Sequence, residues 1–314
     1  MTLKVAVQMD PMEGINIGGD STFAMMLAAQ ERGHSLFHYL APDLSYSDGR
    51  VRARGRPVQV RDRAGDHFTY SGWDTIDLSD DADVVLMRQD PPFDLSYITA
   101  THLLERIHPA TLVVNDPASV RNAPEKLFVL DYARFMPATL ITRSLEETRA
   151  FQAEHGDIVV KPLYGNAGSA VFKIGRDGSN LSALTELFND RWVEPFMVQA
   201  FLPDVASGDK RIVLIDGKVT GAINRIPGSG EIRSNMAAGG RAEATDLTPR
   251  EREICDALGP ELARRGLLFV GIDVIAGHLT EINVTSPTGI VAIDRFNGTD
   301  TPASIWDAIE AKLG

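Results

Sequence analysis

Between Phe269 and Gly289 the chain reads FVGIDVIAGHLTEINVTSPTG, two short apolar runs at residues 269–275 and 279–284 joined by a turn at Gly277. Alternation within the runs predicts a β-hairpin. Period two puts Glu281 and Asn283 on one face, and the partner strand brings Asp273 to them. At the other end of the chain, residues 3–9 form an apolar strand that stops at Asp10-Pro11. A Gly-rich loop through Gly14, Gly18 and Gly19 then leads into a helix that Asp20 or Ser21 can cap and Gly33 ends. Residues 35–40, 84–88 and 111–115 read as further strands and 95–107 as a helix. Such alternation predicts a mainly parallel sheet covered by helices, with ligands gathered at the carboxyl ends of strands, where Asp10 and Arg88 lie. Residues 51–70 are polar and arginine-bearing, a peripheral hairpin or loop.

The middle of the chain changes pattern. Asp116-Pro117 starts a short helix and Pro124 opens another that carries Lys126, where the first subdomain ends. Ser144 followed by Glu147 reads as a capping box for a helix through Glu154. The strand DIVVK, residues 157–161, then delivers Lys161 to the loop LYGNAGSA, and residues 171–174 return as a strand. Gly165 and Gly168 would let backbone amides close over an anion, although a plain turn explains the loop equally well by itself. FMVQAFL, residues 196–202, is a core strand or a greasy wall for an adenine ring. Residues 210–215 and 218–226 form a hairpin around Asp216-Gly217 and bring Asp209, Arg211 and Arg225 together, either as a solvated face or beside the Asp273 hairpin. Residues 227–241, PGSGEIRSNMAAGGR, lack any period and make a long loop, a lid or a connector. Arg233, Asn235 and Arg241 could meet an anionic substrate if it closes. Thr248, Pro249 and Glu251 start a helix ending before Gly266, and residues 304–313 form a terminal packing helix.

Composition narrows the function classes. At 314 residues, with 44% hydrophobic and 24% charged residues, the chain can build two or three subdomains with real cores. Its net charge of −12 argues against a nucleic-acid or anionic-membrane surface. Polyphosphate remains possible, because charge beyond about 8 Å is screened while local lysines are not. The single cysteine, Cys255, excludes an intrachain disulfide and reads as a structural thiol rather than a nucleophile. With no basic leader and no apolar run near membrane-spanning length, a cytoplasmic location is expected.

The chemistry gathers on the hairpin. Two carboxylates and an amide oxygen, without sulfur or imidazole, suit Mg²⁺ held partly by phosphate oxygens. Solvated hairpin acids are the ordinary alternative, but these interrupt strongly apolar strands, where unpaired charge is costly. Arg88, just past a buried strand, could grip a substrate carboxylate in bidentate fashion; an ion pair with Asp90 or Asp94 explains it as well. No GxGxxG follows the first strand, which disfavours a dehydrogenase.

Taken together, Lys126, Lys161-Pro162-Leu163 with its glycine loop, Asp273 and Glu281-Ile282-Asn283 resemble the ATP-grasp superfamily. MDP at 9–11, MRQDPPFD at 87–94, NDP at 115–117, EKLF at 125–128, NMAAGGR at 235–241 and EINVTSPTGI at 281–290 are similar to bacterial glutathione synthetase. That resemblance implies an α/β (α+β) ATP-grasp fold: an N-terminal parallel-sheet substrate domain (1–122), a central lid (123–200) and a C-terminal antiparallel-sheet ATP-binding domain (201–314). It implies that Lys126 and Lys161 hold phosphates, that the loop bearing Gly165 and Gly168 covers them, that Gln199, Phe201 and Leu202 flank adenine, and that Asp209 reaches ribose or substrate. Asp273, Glu281 and Asn283 would bind Mg²⁺, with Mn²⁺ as a substitute. Arg211, Arg225 and Arg241 would be catalytic, and Asp10, Arg88, Arg233, Asn235 and Ser286 would contact substrate. The implied reaction is ATP-dependent joining of γ-glutamylcysteine to glycine through an acylphosphate, by a homotetramer or dimer. Another ATP-grasp ligase, of the D-alanine–D-alanine or glutamate-adding type, and a non-catalytic nucleotide-binding protein are the alternatives. The intact lysine and acid set argues against the second.

Overall fold

The computed structural model describes residues 2–314 apart from 166, 167, 229, 232 and 235–238. Its first sheet contains β1 (Lys4–Gln8), β2 (Ser35–Tyr39), β3 (Leu44–Ser47), β4 (Arg50–Val60), β5 (Phe68–Tyr70), β6 (Asp74–Asp77), β7 (Val84–Met87) and β8 (Leu112–Val114). β2, β1, β7 and β8 run parallel, as the strand–helix alternation predicts, and β4 adds to β2 in antiparallel fashion. Helix α1 (Ser21–Glu31) follows β1 and is capped by Asp20, whose Oδ1 accepts the Phe23 N–H at 2.7 Å. α2 (Leu95–Glu105) is capped by Asp94 in the same way. α3 (Pro117–Arg121) begins at the Asp116 cap.

Residues 51–70, read as a peripheral hairpin or loop, form a hairpin of β4 and β5, but β4 is an eleven-residue strand that also joins β2, β3 and β6. Val51, Ala53 and Gly55 are buried at odd positions, whereas Val58 and Val60 are buried at even ones. The phase changes at Arg56-Pro57, where the strand passes from its pairing with β3 and β6 to its pairing with β2 and β5. Two half-strands out of phase cancel the alternation a reader looks for. Gly55 is required at the crossing, because a Cβ there would overlap the His38 carbonyl.

After α4 (Glu125–Phe128), a second sheet of β9 (Thr139–Thr142), β10 (Ile158–Pro162), β11 (Phe172–Ile174) and β12 (Phe196–Ala200) is antiparallel in the order β11-β10-β12-β9. Ile158, Val160, Phe196 and Val198 pack with Leu181, Leu184 and Phe188 from α6 (Leu181–Arg191) into a core of its own. α5 (Leu145–His155) covers the same sheet. The expected capping box on α5 is only half made. Ser144 Oγ accepts the Glu147 N–H at 3.2 Å, but the Glu147 carboxylate accepts from the Thr142 hydroxyl, and the Ser144 N–H is taken by that same hydroxyl.

A third, antiparallel sheet has the order β15-β14-β13-β16-β17, from β13 (Asp209–Ile215), β14 (Lys218–Ile226), β15 (Arg241–Ala244), β16 (Phe269–Ile275) and β17 (His278–Asn283). α7 (Pro249–Arg264) carries a complete capping box between Thr248 and Glu251, and α8 (Ile290–Asn297) and α9 (Thr301–Leu313) complete the chain. Trp306 of α9 is fully buried and donates to the Met25 carbonyl at 2.8 Å, a packing role as expected. Asn115 joins the first sheet to the third. Its side-chain amide donates to the carbonyls of Phe269 and Val284 and accepts the Phe269 N–H, each at 2.8 Å.

Candidate active site

Strand register builds the site as a row across the third sheet. Arg225 on β14 lies opposite Asp209 on β13, Arg211 on β13 lies opposite Asp273 on β16, and Asp273 lies opposite Glu281 on β17. Asp209 and Arg211 are two apart, as are Glu281 and Asn283, so each pair shares a face. The Arg211 guanidinium forks Asp273, Nε to Oδ1 at 2.6 Å and Nη2 to Oδ2 at 2.9 Å. Arg225 Nη2 reaches Asp209 Oδ2 at 2.6 Å and Asp273 Oδ1 at 2.9 Å. Asn283 donates a long hydrogen bond of 3.4 Å to Asp273.

Two lysines arrive from elsewhere. Lys126 Nζ, on α4, stands 3.4 Å from Glu281 Oε1, and Lys161 Nζ, on β10, stands 3.5 Å from the same oxygen. Lys126 also donates to the Gly165 carbonyl at 2.7 Å, which ties the glycine loop to the site. All three charged groups are crowded, and burial acts on each. Burial alone would raise Glu281, but the two ammonium groups hold its carboxyl below the usual glutamate range. Lys126 is pulled down by burial yet ends above the ordinary lysine range, because Glu281 and Glu125 both face it. Lys161 ends below that range, since burial and the like charge of Lys126 outweigh Glu281. The lysines thus differ in direction although they share a partner: Lys126 has Glu125 as a second carboxylate, while Lys161 faces the like charge of Lys126. Asp273 is held well below the aspartate range by its two arginines against the opposing pull of burial.

These groups open into a cavity of about 400 Å³ between the second and third sheets. Its walls bring together Lys126, Lys161, Gly165, Gly168, Gln199, Phe201, Leu202 and Asp209. Arg211, Arg225, Arg233, Asp273, Glu281, Asn283 and Ser286 also face it. A second cleft of about 670 Å³, near His108 and Arg265, is larger, but among the described residues it offers no free cation: His108 pairs with Asp116, Arg264 and Arg265 with Glu261, and Lys312 with Asp216. The chemistry belongs to the first.

Three expected site residues stand off this cavity. Arg88 is buried, but its Nε donates to Thr22 Oγ1 at 3.0 Å and its Nη2 to the Pro287 carbonyl at 2.9 Å, over the Phe269 ring. It pairs with neither Asp90 nor Asp94. Asp10 accepts the Asp90 N–H at 2.8 Å. Arg241 starts β15, is 73% exposed and pairs with Glu243 at 2.6 Å. Arg233 faces the cavity while paired with Glu231 at 2.7 Å. Asn235 lies outside the described residues. Cys255 is buried in α7 away from the cavity, and burial pushes its thiol up to about 12, an inert group as expected.

Among the described residues no group of three His, Cys, Asp or Glu stands ready as a metal cage. Asp273, Glu281 and Asn283 nevertheless form an all-oxygen donor set on adjacent strands, each facing the cavity, and such a set fits a hard divalent cation that takes its remaining ligands from phosphate.

A family model described as prokaryotic glutathione synthetase, ATP-grasp domain, matches residues 125–298, and its N-terminal-domain counterpart matches residues 3–121. The chain belongs to the prokaryotic glutathione synthetase family. It is 59% identical over 312 residues to the glutathione synthetase of Rhodopseudomonas palustris, with 99% of each chain covered. It is 57% identical over 308 residues to that of Agrobacterium fabrum, covering 98% of this chain and 96% of that one. The crystal structure of the D-cycloserine synthetase DcsG superposes with a TM-score of 0.70 at 16% identity over 99% of this chain and 100% of that one. The ATP-grasp ligase PsnB superposes at 0.63 and 19% identity, with 98% of each chain covered. These two show the shared mixed α/β ATP-grasp fold alone. Family membership makes the chain an ATP-dependent carboxylate–amine ligase and disfavours both alternatives weighed from sequence.

The sequence reading missed Glu125 and Asp90, which line the same cavity. Glu125 precedes Lys126 on α4, and burial pushes its carboxyl up to about 7. Its position beside a recognised lysine was the available signal.

Proposed function

We propose that the cavity joins γ-glutamylcysteine to glycine by way of an acylphosphate, with ATP as co-substrate. The observation that carries this reading is the convergence of Lys126 and Lys161, from two different elements, on the acid row of the third sheet. A carboxylate does not acylate an amine at neutral pH, because oxide cannot leave. An oxygen of the cysteinyl carboxylate attacks the γ-phosphorus and ADP departs. The glycine amine, having lost a proton, then attacks the acyl carbon, and phosphate leaves with that carboxylate oxygen. Lys126 and Lys161 would hold the phosphates, and Arg211 and Arg225 would meet the charge that spreads over the transferring group. The arginines are already oriented by Asp273 and Asp209, so little reorganisation is needed.

Asp273, Glu281 and Asn283 would hold Mg²⁺, or Mn²⁺ in its place; bound there, the cation would neutralise phosphate charge. Gly165 and Gly168 would cover the phosphates and Gln199, Phe201 and Leu202 would flank adenine, with Asp209 toward ribose or substrate. Residues 227–241, carrying Arg233, Asn235 and Arg241, would close over the acylphosphate and exclude water. Ser286 would contact substrate, while Asp10 and Arg88 would act from behind it. We propose three units, 1–122, 123–200 and 201–314, one for each sheet, in a cytoplasmic homotetramer or dimer.

The test is turnover of γ-glutamylcysteine labelled with ¹⁸O in its cysteinyl carboxylate, with glycine, ATP and Mg²⁺. One label appears in the released phosphate for each tripeptide formed. Unlabelled phosphate rules out the acylphosphate route, and ADP formation that ignores glycine and dipeptide rules out ligation.

A further inference from the structure

Five carboxylates line the cavity, and among the described residues four are met by a lysine or arginine: Glu125 by Lys126, Asp209 by Arg225, Asp273 by Arg211 and Arg225, and Glu281 by both lysines. Asp90 is the fifth. It sits in the turn after β7, and two contacts fix it. Its N–H donates to Asp10 Oδ2 at 2.8 Å, and its Oδ1 accepts the Ser286 hydroxyl at 2.9 Å. Oδ2 has no protein partner among the described residues. Arg88, the cation two residues away, donates from Nε to Thr22 and from Nη2 to Pro287 and acts on Asp90 only through the field of its charge. A carboxylate is therefore held in place at the cavity wall, beside the Asp10 charge, and among the described residues no lysine or arginine pairs with it.

Such a position fits an ammonium group of the substrate. We infer that Asp90 is a specificity-determining residue that takes the α-ammonium of the γ-glutamyl group, an inference that rests on the dipeptide being the acid substrate. The rest of the cavity is rich in cations suited to phosphates and carboxylates, so the positive end of a zwitterionic substrate needs a separate acid. Connectivity agrees with this assignment: Ser286, which holds the Asp90 carboxylate, follows Asn283 of the acid row by three residues, and all three line the same cavity.

The experiment compares γ-glutamylcysteine with glutarylcysteine, the same acid lacking the amine, in the whole enzyme with ATP, glycine and Mg²⁺. The wild type is expected to favour the amine-bearing substrate by about 10- to 100-fold in kcat/KM, the discrimination typical of a charged hydrogen bond. Asp90→Asn brings the two within about 3-fold by raising the KM for γ-glutamylcysteine, while the KM for ATP stays put. Ser286→Ala, which frees the carboxylate without removing it, narrows the preference by a smaller factor and guards against a folding defect in the first variant. A wild-type preference that survives in Asp90→Asn overturns the inference and leaves the ligase reading standing. So does a rise in the KM for glycine instead. Absence of wild-type turnover with γ-glutamylcysteine overturns both.

Discussion

Arg211 and Arg88 are nearly equally buried, at 7% and 5% exposure, Arg211 within β13 and Arg88 just past β7. Their surroundings could hardly differ more. Arg211 forks a carboxylate in a row of interleaved arginines and carboxylates that runs across four strands. Arg88 has no carboxylate, and burial lowers the pKa of its guanidinium; its partners are a hydroxyl, a carbonyl and an aromatic face. The first arrangement presents charge to a cavity, while the second fastens the first sheet to the loop beyond β17. The proposed chemistry falls to the buried arginine whose partner is another charge at a cavity wall, and an architectural place to the one without.

The largest expected effect comes from breaking the row at its centre. Asp273→Asn leaves Arg211 and Arg225 buried side by side without their shared anion. Loss of one partner from such a buried set costs about 3–5 kcal/mol, visible as a drop in Tm, and kcat is expected to fall by about 10³-fold or more. Glu281→Gln should lose turnover similarly, with a smaller drop in Tm because it is less enclosed than Asp273. Near-normal kcat in both variants contradicts the chemistry assigned to the row.

Arginine-to-lysine changes sharpen the contrast. Arg211→Lys cannot fork Asp273 and should lower kcat by about 10²-fold. Arg88→Lys should lower Tm, by roughly 2 kcal/mol of lost hydrogen bonding, with a proportionally smaller change in kcat. If Arg88→Lys mainly impairs kcat while Tm holds, the two arginines do the same work and the comparison fails.

What could be read from sequence divides along the same line. The Asp273–Glu281–Asn283 hairpin, the Asp209–Arg225 hairpin and Lys161 at its strand end were legible because each depends on residues close in the chain and on period two. Lys126 was legible as a motif. The packing of Arg88 was not legible because its partner Pro287 lies 199 residues away, and nothing local announces that contact. Residues 51–70 stayed open between hairpin and loop because the alternation of β4 changes phase at Arg56-Pro57. Asp90 was weighed only as an ion-pair partner of Arg88, because its place at the cavity wall without a paired lysine or arginine is revealed by packing alone.

Glu125 offers a subtler test, through pH. Its pKa of about 7 in the folded protein lies above the ordinary 4.5, so the folded chain holds this proton more tightly than the unfolded one. The resulting contribution to stability is full below about 4.5 and is lost as pH rises through about 7. Glu125→Gln keeps the neutral form at every pH. The change in stability between pH 5 and pH 8 should shrink by on the order of 2 kcal/mol in the variant, measured by urea unfolding of the unliganded protein. An unaltered pH slope removes Glu125 from the charged network.

The smallest effects belong to the loop whose arginines stand at the cavity rim or outside it. Arg233 and Arg241 each pair with a nearby glutamate on exposed surface, an interaction worth at most about 1 kcal/mol, so alanine at either site should leave Tm within about 2 °C. Under the closure of residues 227–241 proposed above, their value would lie in what they then contact. Arg233→Ala is expected to raise the KM for the nucleotide or dipeptide several-fold, since Arg233 already faces the cavity. Arg241→Ala should act on kcat and increase ATP hydrolysis uncoupled from tripeptide formation, because a loop that fails to seal admits water to the acylphosphate. Coupled, wild-type turnover in Arg241→Ala would confine the catalytic cations to the row on the third sheet, where Arg211 and Arg225 are already in place.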